Sequence, residues 1–416
     1  MSDQLRQQKI KLFNGYSPAH LSSEPDLVII GNALSRGNPE IEYVLERRFR
    51  YTSGPQWLYE NILCQKQVLA VSGTHGKTTT TAILTWLLEA GGKNPGFLIG
   101  GMAGNFASSA RLTDSEYFVI EADEYDTAFF DKRSKFVHYH PGVLIINNIE
   151  FDHADIFADL AAIRREFHQM IRIMPSTALI LAHAGDAEID KVLAQGCWSR
   201  LEWFAGMESK WQLTPCSVDF SEFHVLMDGN QVGQVNWPLI GQYNAENALA
   251  AIAAAVSIGI DAGAACRALT EFKNVKRRLE LLGKVNDIAV YDDFAHHPTA
   301  IRLTLEALRK KIGKGRVIAI LEPRSNTMKQ GVHKDTLAQA LKAADFSLVY
   351  QPPGLKWDIN QYMSELGNKC EVKNNIDSII LKITTMAQPN DHIIIMSNGG
   401  FEGIHRKLIE RLRQNT

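Results

Sequence analysis

The segment Gly73-Thr74-His75-Gly76-Lys77-Thr78 sets two glycines beside a lysine and a threonine, with Thr79 next in line. Glycines let backbone N–H groups approach an anion closely. A lysine here can reach the outer phosphates of a nucleotide, and a threonine can ligate Mg²⁺. The chemistry indicated is nucleotide binding. The spacing is shorter than the G-x-x-x-x-G-K-[ST] loop, which wants a glycine at position 71, where this chain has Val71. A glycine-rich turn followed by an incidental Lys-Thr is the competing reading. The position of the loop, after an apolar strand and before a helix, favours the nucleotide.

Two more clusters carry chemistry of a matching kind. One is Glu121-Ala122-Asp123-Glu124-Tyr125-Asp126; the other is Asn147-Asn148-Ile149-Glu150-Phe151-Asp152-His153. Hard oxygen ligands suit Mg²⁺. Any one of these carboxylates alone reads as a solvated loop group; their joint arrangement is the signal. A third cluster, Tyr291-Asp292-Asp293-Phe294-Ala295-His296-His297-Pro298, follows Arg277-Arg278 and precedes a helix. Leu321-Glu322-Pro323-Arg324-Ser325-Asn326-Thr327 and Ser397-Asn398-Gly399-Gly400 also fall at strand ends. Arg324 has the planar donor fork that clamps a carboxylate.

Short apolar runs alternating with helical patterns must position these groups. Residues 67–73, 117–124 and 142–149 read as strands covered on both faces, and 77–90 as the helix after the phosphate loop. Ligands of open α/β sheets collect beyond the carboxyl ends of strands, so three strands would bring Thr78, the acidic cluster and His153 to one sheet edge. Upstream, 25–33 reads as a buried parallel strand, with helices at 39–49 and 54–64. Residues 222–237 read as a hairpin turning on Asp228-Gly229, and 244–258 as an Ala-rich helix. A last α/β block has strands at 288–291, 316–321, 346–350 and 392–396, and helices at 298–312, 332–344 and 401–413. The fold class is α/β with three domains: 1–65, 66–276 and 277–416.

With 44 Lys+Arg against 46 Asp+Glu, the net charge of −2 excludes a strongly basic nucleic-acid binder. Hydrophobic residues at 45% and charged residues at 22% are ordinary for a globular chain and argue against disorder. The longest apolar run, 248–260, is broken by Ser257 and Gly259 and falls short of the ~20 residues that cross a bilayer. The start, Met1-Ser2-Asp3-Gln4-Leu5-Arg6, has no apolar core and reads as no signal peptide. The 5 cysteines contain no C-x-x-C pair, which fits a reduced, cytoplasmic setting and leaves no cysteine metal site. Neither nucleic acid nor membrane is expected as a partner, and the chain is expected to be a monomer or weak homo-oligomer.

Taken in order, these motifs resemble the Mur ligase family, the ATP-dependent amide-forming enzymes of peptidoglycan synthesis, over essentially the whole chain. The resemblance implies a Rossmann-like N-terminal domain for a UDP-sugar, a P-loop central ATPase domain with a mainly parallel sheet, and an α/β C-terminal domain for the peptide acceptor. It implies ATP and Mg²⁺ as cofactors, with the metal on Thr78, Glu121 and His153. Lys77, Glu121, His153 and Arg278 would be catalytic. Nucleotide contacts would come from Gly73, Thr74, His75, Gly76, Lys77, Thr78, Thr79, Asn244, Asn247, Arg278, Asp293 and His297. The incoming peptide would be read by Arg324, Asn326 and Thr327.

Within the family, LEPRSNT at 321–327, SNGGF at 397–401 and DKRSKF at 131–136 resemble the murein-recycling branch. That branch joins L-alanyl-γ-D-glutamyl-meso-diaminopimelate to UDP-N-acetylmuramate. The branch that adds L-alanine is the alternative, and a P-loop kinase, ATPase motor or nucleotide sensor lies outside the family. Two departures stand out. No lysine occurs between His153 and Lys191, so the modified lysine of several sister ligases is absent. The strand and glycine-rich loop expected for the UDP group are also absent ahead of residue 25, so the N-terminal unit is expected to be incomplete, with Asn32, Arg36 and Ser53 as its remnants.

Overall fold

A computed structural model describes residues 5, 6 and 8–414; most of the start read above as no signal peptide lies outside them. A ten-stranded sheet forms the centre of the molecule. Gln67–Ser72 runs in its middle, parallel to Tyr117–Glu121 on one side and Val143–Ile146 on the other. Alternation explains why this strand is buried throughout. Leu69 and Val71 face one core, with Val119, Ile145 and Leu181; Val68 and Ala70 face a second, with Phe118, Ile120, Leu144 and Ile146. The first core is covered by the helices Lys77–Ala90 and Gln242–Ser257, whose facing alanines allow close packing. The second is covered by Leu160–Arg172.

Beyond Leu179–His183 and Arg200–Phe204 the sheet ends in antiparallel strands, including the hairpin Glu222–Met227 with Asn230–Asn236. Asp228 and Gly229 both have positive φ, 51° and 78°, the pair of left-handed residues a two-residue hairpin turn demands. A six-stranded C-terminal sheet has Asp391–Met396 between Ile288–Asp293 and Arg316–Leu321, all parallel. Among the described residues, no helix is long and apolar enough to cross a membrane.

The N-terminal expectation needs correcting. The strand within 25–33 is only Val28–Ile30, pairing in parallel with Tyr51–Ser53, and Ile29 is 49% exposed. A two-stranded sheet cannot cover both its faces, so the run is only partly buried, with Ile30 inside and Ile29 outside. The helix read at 332–344 is shorter, Lys334–Leu341, and a separate helix, Asn326–Gln330, precedes it.

Candidate functional site

The three central strands are immediate neighbours, so their carboxyl ends open on one edge. Gly73 and Gly76 turn the chain there with φ of 132° and 79°. A Cβ on Gly76 would lie 2.6 Å from Asn247 Oδ1 and 3.0 Å from Asn147 Nδ2, so the loop can pack against those amides only as glycine. No side chain caps the Lys77–Ala90 helix. Its first N–H groups therefore lack intrahelical partners and face the loop with the positive end of the helix dipole. Thr74 and His75 are committed elsewhere: the Thr74 N–H donates to Asn148 O at 3.1 Å and the His75 N–H to Asn148 Oδ1 at 2.8 Å. The amides left for an anion start at Gly76 and run through Lys77, Thr78 and Thr79.

Lys77 is mostly buried among carboxylates. Its Nζ donates to Glu124 Oε2 at 2.8 Å and stands 3.9 Å from Asp123. Burial alone would depress its pKa, but Glu124, Asp123 and Glu121 outweigh that and raise it, so the lysine is a fixed cation. Glu124 was not among the expected site residues. It is buried, yet Lys77 and His153 overcome the burial and hold its pKa down at about 2. Its signal in sequence was only its place in the acidic cluster.

Thr78 Oγ1 donates to Glu121 Oε1 at 3.0 Å, and Gly100 N–H donates to Glu121 Oε2 at 2.9 Å. Burial raises the Glu121 pKa, against the opposing pull of Lys77 and of the Gly100 N–H. These two hard oxygens fit Mg²⁺. The third expected ligand, His153, is turned to a neighbour: its Nε2 is 3.1 Å from Glu124 Oε1. Its backbone sits at φ 56°, held by an N–H bond to Asp152 Oδ1 at 2.8 Å. A non-glycine residue in that region signals a constrained side-chain direction.

The C-terminal unit reaches into this edge. Arg278 Nη2 is 3.4 Å from Thr78 Oγ1, and its guanidinium lies 5.1 Å from the Phe294 ring centre. Asp293 fastens the chain that carries Arg278: its two oxygens accept from Leu279 N–H at 2.6 Å and Ala295 N–H at 2.7 Å. Burial raises its pKa to about 6. His297 is 5% exposed and its ring packs on His75 and His333. Asn244 Nδ2 donates to Ile240 O at 2.7 Å, and Asn247 Oδ1 is 3.4 Å from Asn147 Nδ2.

Arg324, Asn326 and Thr327 line a cavity of 330 Å³ with Tyr125, Asp152, His153, Asp155, His296 and Asn398. Two of the three do not face it freely. Thr327 Oγ1 donates to Asp152 Oδ1 at 2.8 Å and accepts from Ala154 N–H at 3.2 Å, while Asn326 Nδ2 donates to Asp155 Oδ2 at 3.0 Å. They clasp the central unit to the C-terminal one. Arg324 lies against Gly399, where any Cβ would overlap its guanidinium.

At the N-terminal strands, Ser53 Oγ caps its helix by accepting from Gln56 N–H at 3.2 Å, so it is a capping group. Arg36 is paired with Glu42 at 3.0 and 2.9 Å. Asn32 is exposed, beyond the strand end that Ile30 and Ser53 share. None of the three joins the central cluster.

Comparison with known proteins decides what this arrangement is. The Mur ligase middle domain matches residues 71–255, the Mur ligase glutamate ligase domain 277–399, and the Mur ligase family catalytic domain 1–64. The chain belongs to the Mur ligase family.

A UDP-N-acetylmuramate–L-alanyl-γ-D-glutamyl-meso-2,6-diaminoheptandioate ligase of Haemophilus influenzae is 54% identical over 99% of this chain and 91% of its own length. The Escherichia coli ligase of the same name is 52% identical over 99% and 90%. The crystal structure of a murein peptide ligase from Psychrobacter arcticus superposes with a TM-score of 0.74 at 46% identity, covering 99% of this chain and 91% of that one. A UDP-N-acetylmuramate–L-alanine ligase of Caldicellulosiruptor bescii is more distant, at 28% identity over 95% and 87%. These Mur ligases are ATP-dependent amide-forming enzymes, as the family resemblance implied.

Proposed function

We propose that this ligase joins L-alanyl-γ-D-glutamyl-meso-diaminopimelate to UDP-N-acetylmuramate at the expense of ATP, and so returns murein peptide to cell-wall synthesis. The observation that carries the reading is the 54% identity, sustained over 99% of the chain, to a ligase named for that reaction. The 28% identity to an L-alanine ligase argues against the alternative acceptor. Residues 1–65 are assigned to the UDP-sugar, 66–276 to ATP and 277–416 to the peptide.

The muramyl carboxylate attacks the γ-phosphorus of ATP, the bond from that phosphorus to the bridging oxygen breaks, and ADP leaves. The peptide amine then attacks the acyl carbon. The bond to the phosphate oxygen breaks, inorganic phosphate leaves, and the surplus amine proton passes to solvent.

Lys77 meets the charge that gathers when a carboxylate approaches a triphosphate, by moving its hydrogen bond from Glu124 to phosphate oxygen. The free amides of the Lys77–Ala90 helix, at Gly76 through Thr79, hold the phosphates. A magnesium ion held by Thr78, Glu121 and His153 would neutralise further phosphate charge. Arg278, carried in from the C-terminal unit and steered by Asp293, closes over Thr78. Asn244 and Asn247 line the nucleotide side of the loop. Arg324 faces the cavity as the clamp for a peptide carboxylate. That cavity is lined almost wholly by polar groups, as an acceptor rich in carboxylates and amines requires.

The test is phosphate release with ATP and UDP-N-acetylmuramate, offering tripeptide or L-alanine. Release with tripeptide and little with L-alanine is expected; the reverse preference rejects the assignment.

A further inference from the structure

One cluster on the molecule has no part in the chemistry above. Where the phosphate loop meets the Pro298–Ile312 helix, imidazoles gather around Glu150, with Asp152 nearby. Glu150 Oε2 is 3.5 Å from His75 Nε2 and 3.4 Å from His297 Nδ1. The candidate ligand atoms of the three residues all lie within 4.8 Å of one another. His333 stands edge-on to His297, ring centres 4.3 Å apart.

The spacing is informative. At 3.4–3.5 Å these atoms are too far apart for good hydrogen bonds. Ligands arranged tetrahedrally at ~2.0–2.1 Å from a zinc ion lie ~3.3–3.4 Å from each other. Of the two candidate ligand nitrogens, His75 Nε2 is left without a partner, while His297 Nδ1 accepts from the Thr299 N–H at 3.3 Å. Nε2 of His75, of His297 and of His333 are all buried with no hydrogen bond, although an unpaired buried polar atom costs roughly 1–3 kcal/mol. His297 itself is 5% exposed.

Supporting contacts exist too: Thr299 Oγ1 donates to Glu150 Oε2 at 2.7 Å. The Thr299 N–H lies 3.3 Å from His297 Nδ1, a long contact that an ion would replace.

We propose that His75, Glu150 and His297 form a second metal site, chemically separate from the magnesium centre, for a borderline transition-metal ion, with Zn²⁺ the best match. Two imidazoles and one carboxylate with a fourth position open make a zinc ligand set. A pair of imidazoles favours zinc, copper or nickel, whereas the magnesium centre sets one imidazole, His153, beside the oxygens of Thr78 and Glu121. His75 and Glu150 belong to the central unit and His297 to the C-terminal one, so the ion would staple the two units together beside the phosphate loop.

Titration of the full-length, metal-stripped protein with Zn²⁺ against a chromophoric chelator tests this. One tight equivalent is expected. Glu150→Gln should weaken it by roughly 10–100-fold or more, since even supporting residues cost that much. His297→Ala should do the same, and His153→Ala should leave it in place. X-ray absorption of the zinc form should show two imidazoles. The proposal is overturned if the wild type takes up no tight equivalent. It is equally overturned if the equivalent persists in Glu150→Gln and disappears in His153→Ala. Glu150→Gln, near-isosteric, decides the matter if His297→Ala does not fold. Zinc binding is read without ATP or substrate, so failure of the ligase assignment would leave this result standing, and the reverse.

Discussion

Lys77 Nζ and Glu124 Oε2 form a buried ion pair at 2.8 Å, and the same carboxylate holds His153 through its other oxygen. A single side chain therefore parks both the phosphate-loop cation and the expected metal histidine. On the proposed function, Lys77 exchanges Glu124 for phosphate oxygen when ATP binds.

Glu124→Gln tests that arrangement. Removing one partner of a buried pair strands the other, at a cost of roughly 3–5 kcal/mol. Asp123 at 3.9 Å from Lys77 should keep the loss near the lower figure. Urea unfolding without nucleotide should show it, and saturating ATP should recover part of it. An unchanged midpoint would mean that Lys77 is not neutralised by Glu124.

Thr327 connects the acceptor-side loop to Asp152, which in turn fixes the backbone of His153. Thr327→Val keeps the shape and removes the hydroxyl. With about 1–3 kcal/mol for the unmet hydrogen bonds, kcat/KM for tripeptide should fall roughly 5- to 150-fold. Thr327→Ser should restore most of it. Equal loss in both variants would indicate packing, not the hydrogen bond.

Arg278 is the guanidinium that crosses from the C-terminal unit to Thr78. Arg278→Ala should lower kcat on the order of 10²–10³-fold, the effect typical of losing one preorganised donor, with the unfolding midpoint nearly unchanged. A loss confined to KM would place Arg278 in ground-state binding only.

Asp293 predicts a pH dependence of stability. Its folded pKa of about 6 exceeds the usual carboxylate value because the group is buried, so the folded state binds the proton more tightly than the unfolded one. That contribution is complete below about pH 4, declines as pH rises through about 6, and amounts to about 3 kcal/mol for a shift of this size. Asp293→Asn removes the titration, and its amide nitrogen opposes one of the two N–H donors. The wild-type-minus-variant difference in unfolding free energy should therefore fall between pH 4 and pH 6.5. A flat difference would refute the raised pKa.

Much of this was legible in the residues. Buried parallel strands read as continuous apolar runs, and so Gln67–Ser72, Arg316–Leu321 and Phe346–Tyr350 declare themselves. A turn with two left-handed residues announces the hairpin. Leu179–His183 and Arg200–Phe204 do not stand out, because LILAH matches a helix as well as a strand and RLEWF is only partly buried at the sheet's flank. At the site, strand-end position brings out Lys77, Thr78, Glu121 and His153, while Arg278 rests on the family resemblance. Glu124, Asp152 and the true partners of His297, Asp293, Asn326 and Thr327 depend on how the C-terminal unit docks, and no local pattern encodes that.

The central claim, activation of the sugar-borne carboxylate by phosphoryl transfer, is tested most directly by labelling that carboxylate of UDP-N-acetylmuramate with ¹⁸O and analysing the phosphate released on ligation to tripeptide. The account predicts one labelled oxygen in each inorganic phosphate, and no turnover in Lys77→Ala. Phosphate whose new oxygen comes only from water would contradict it.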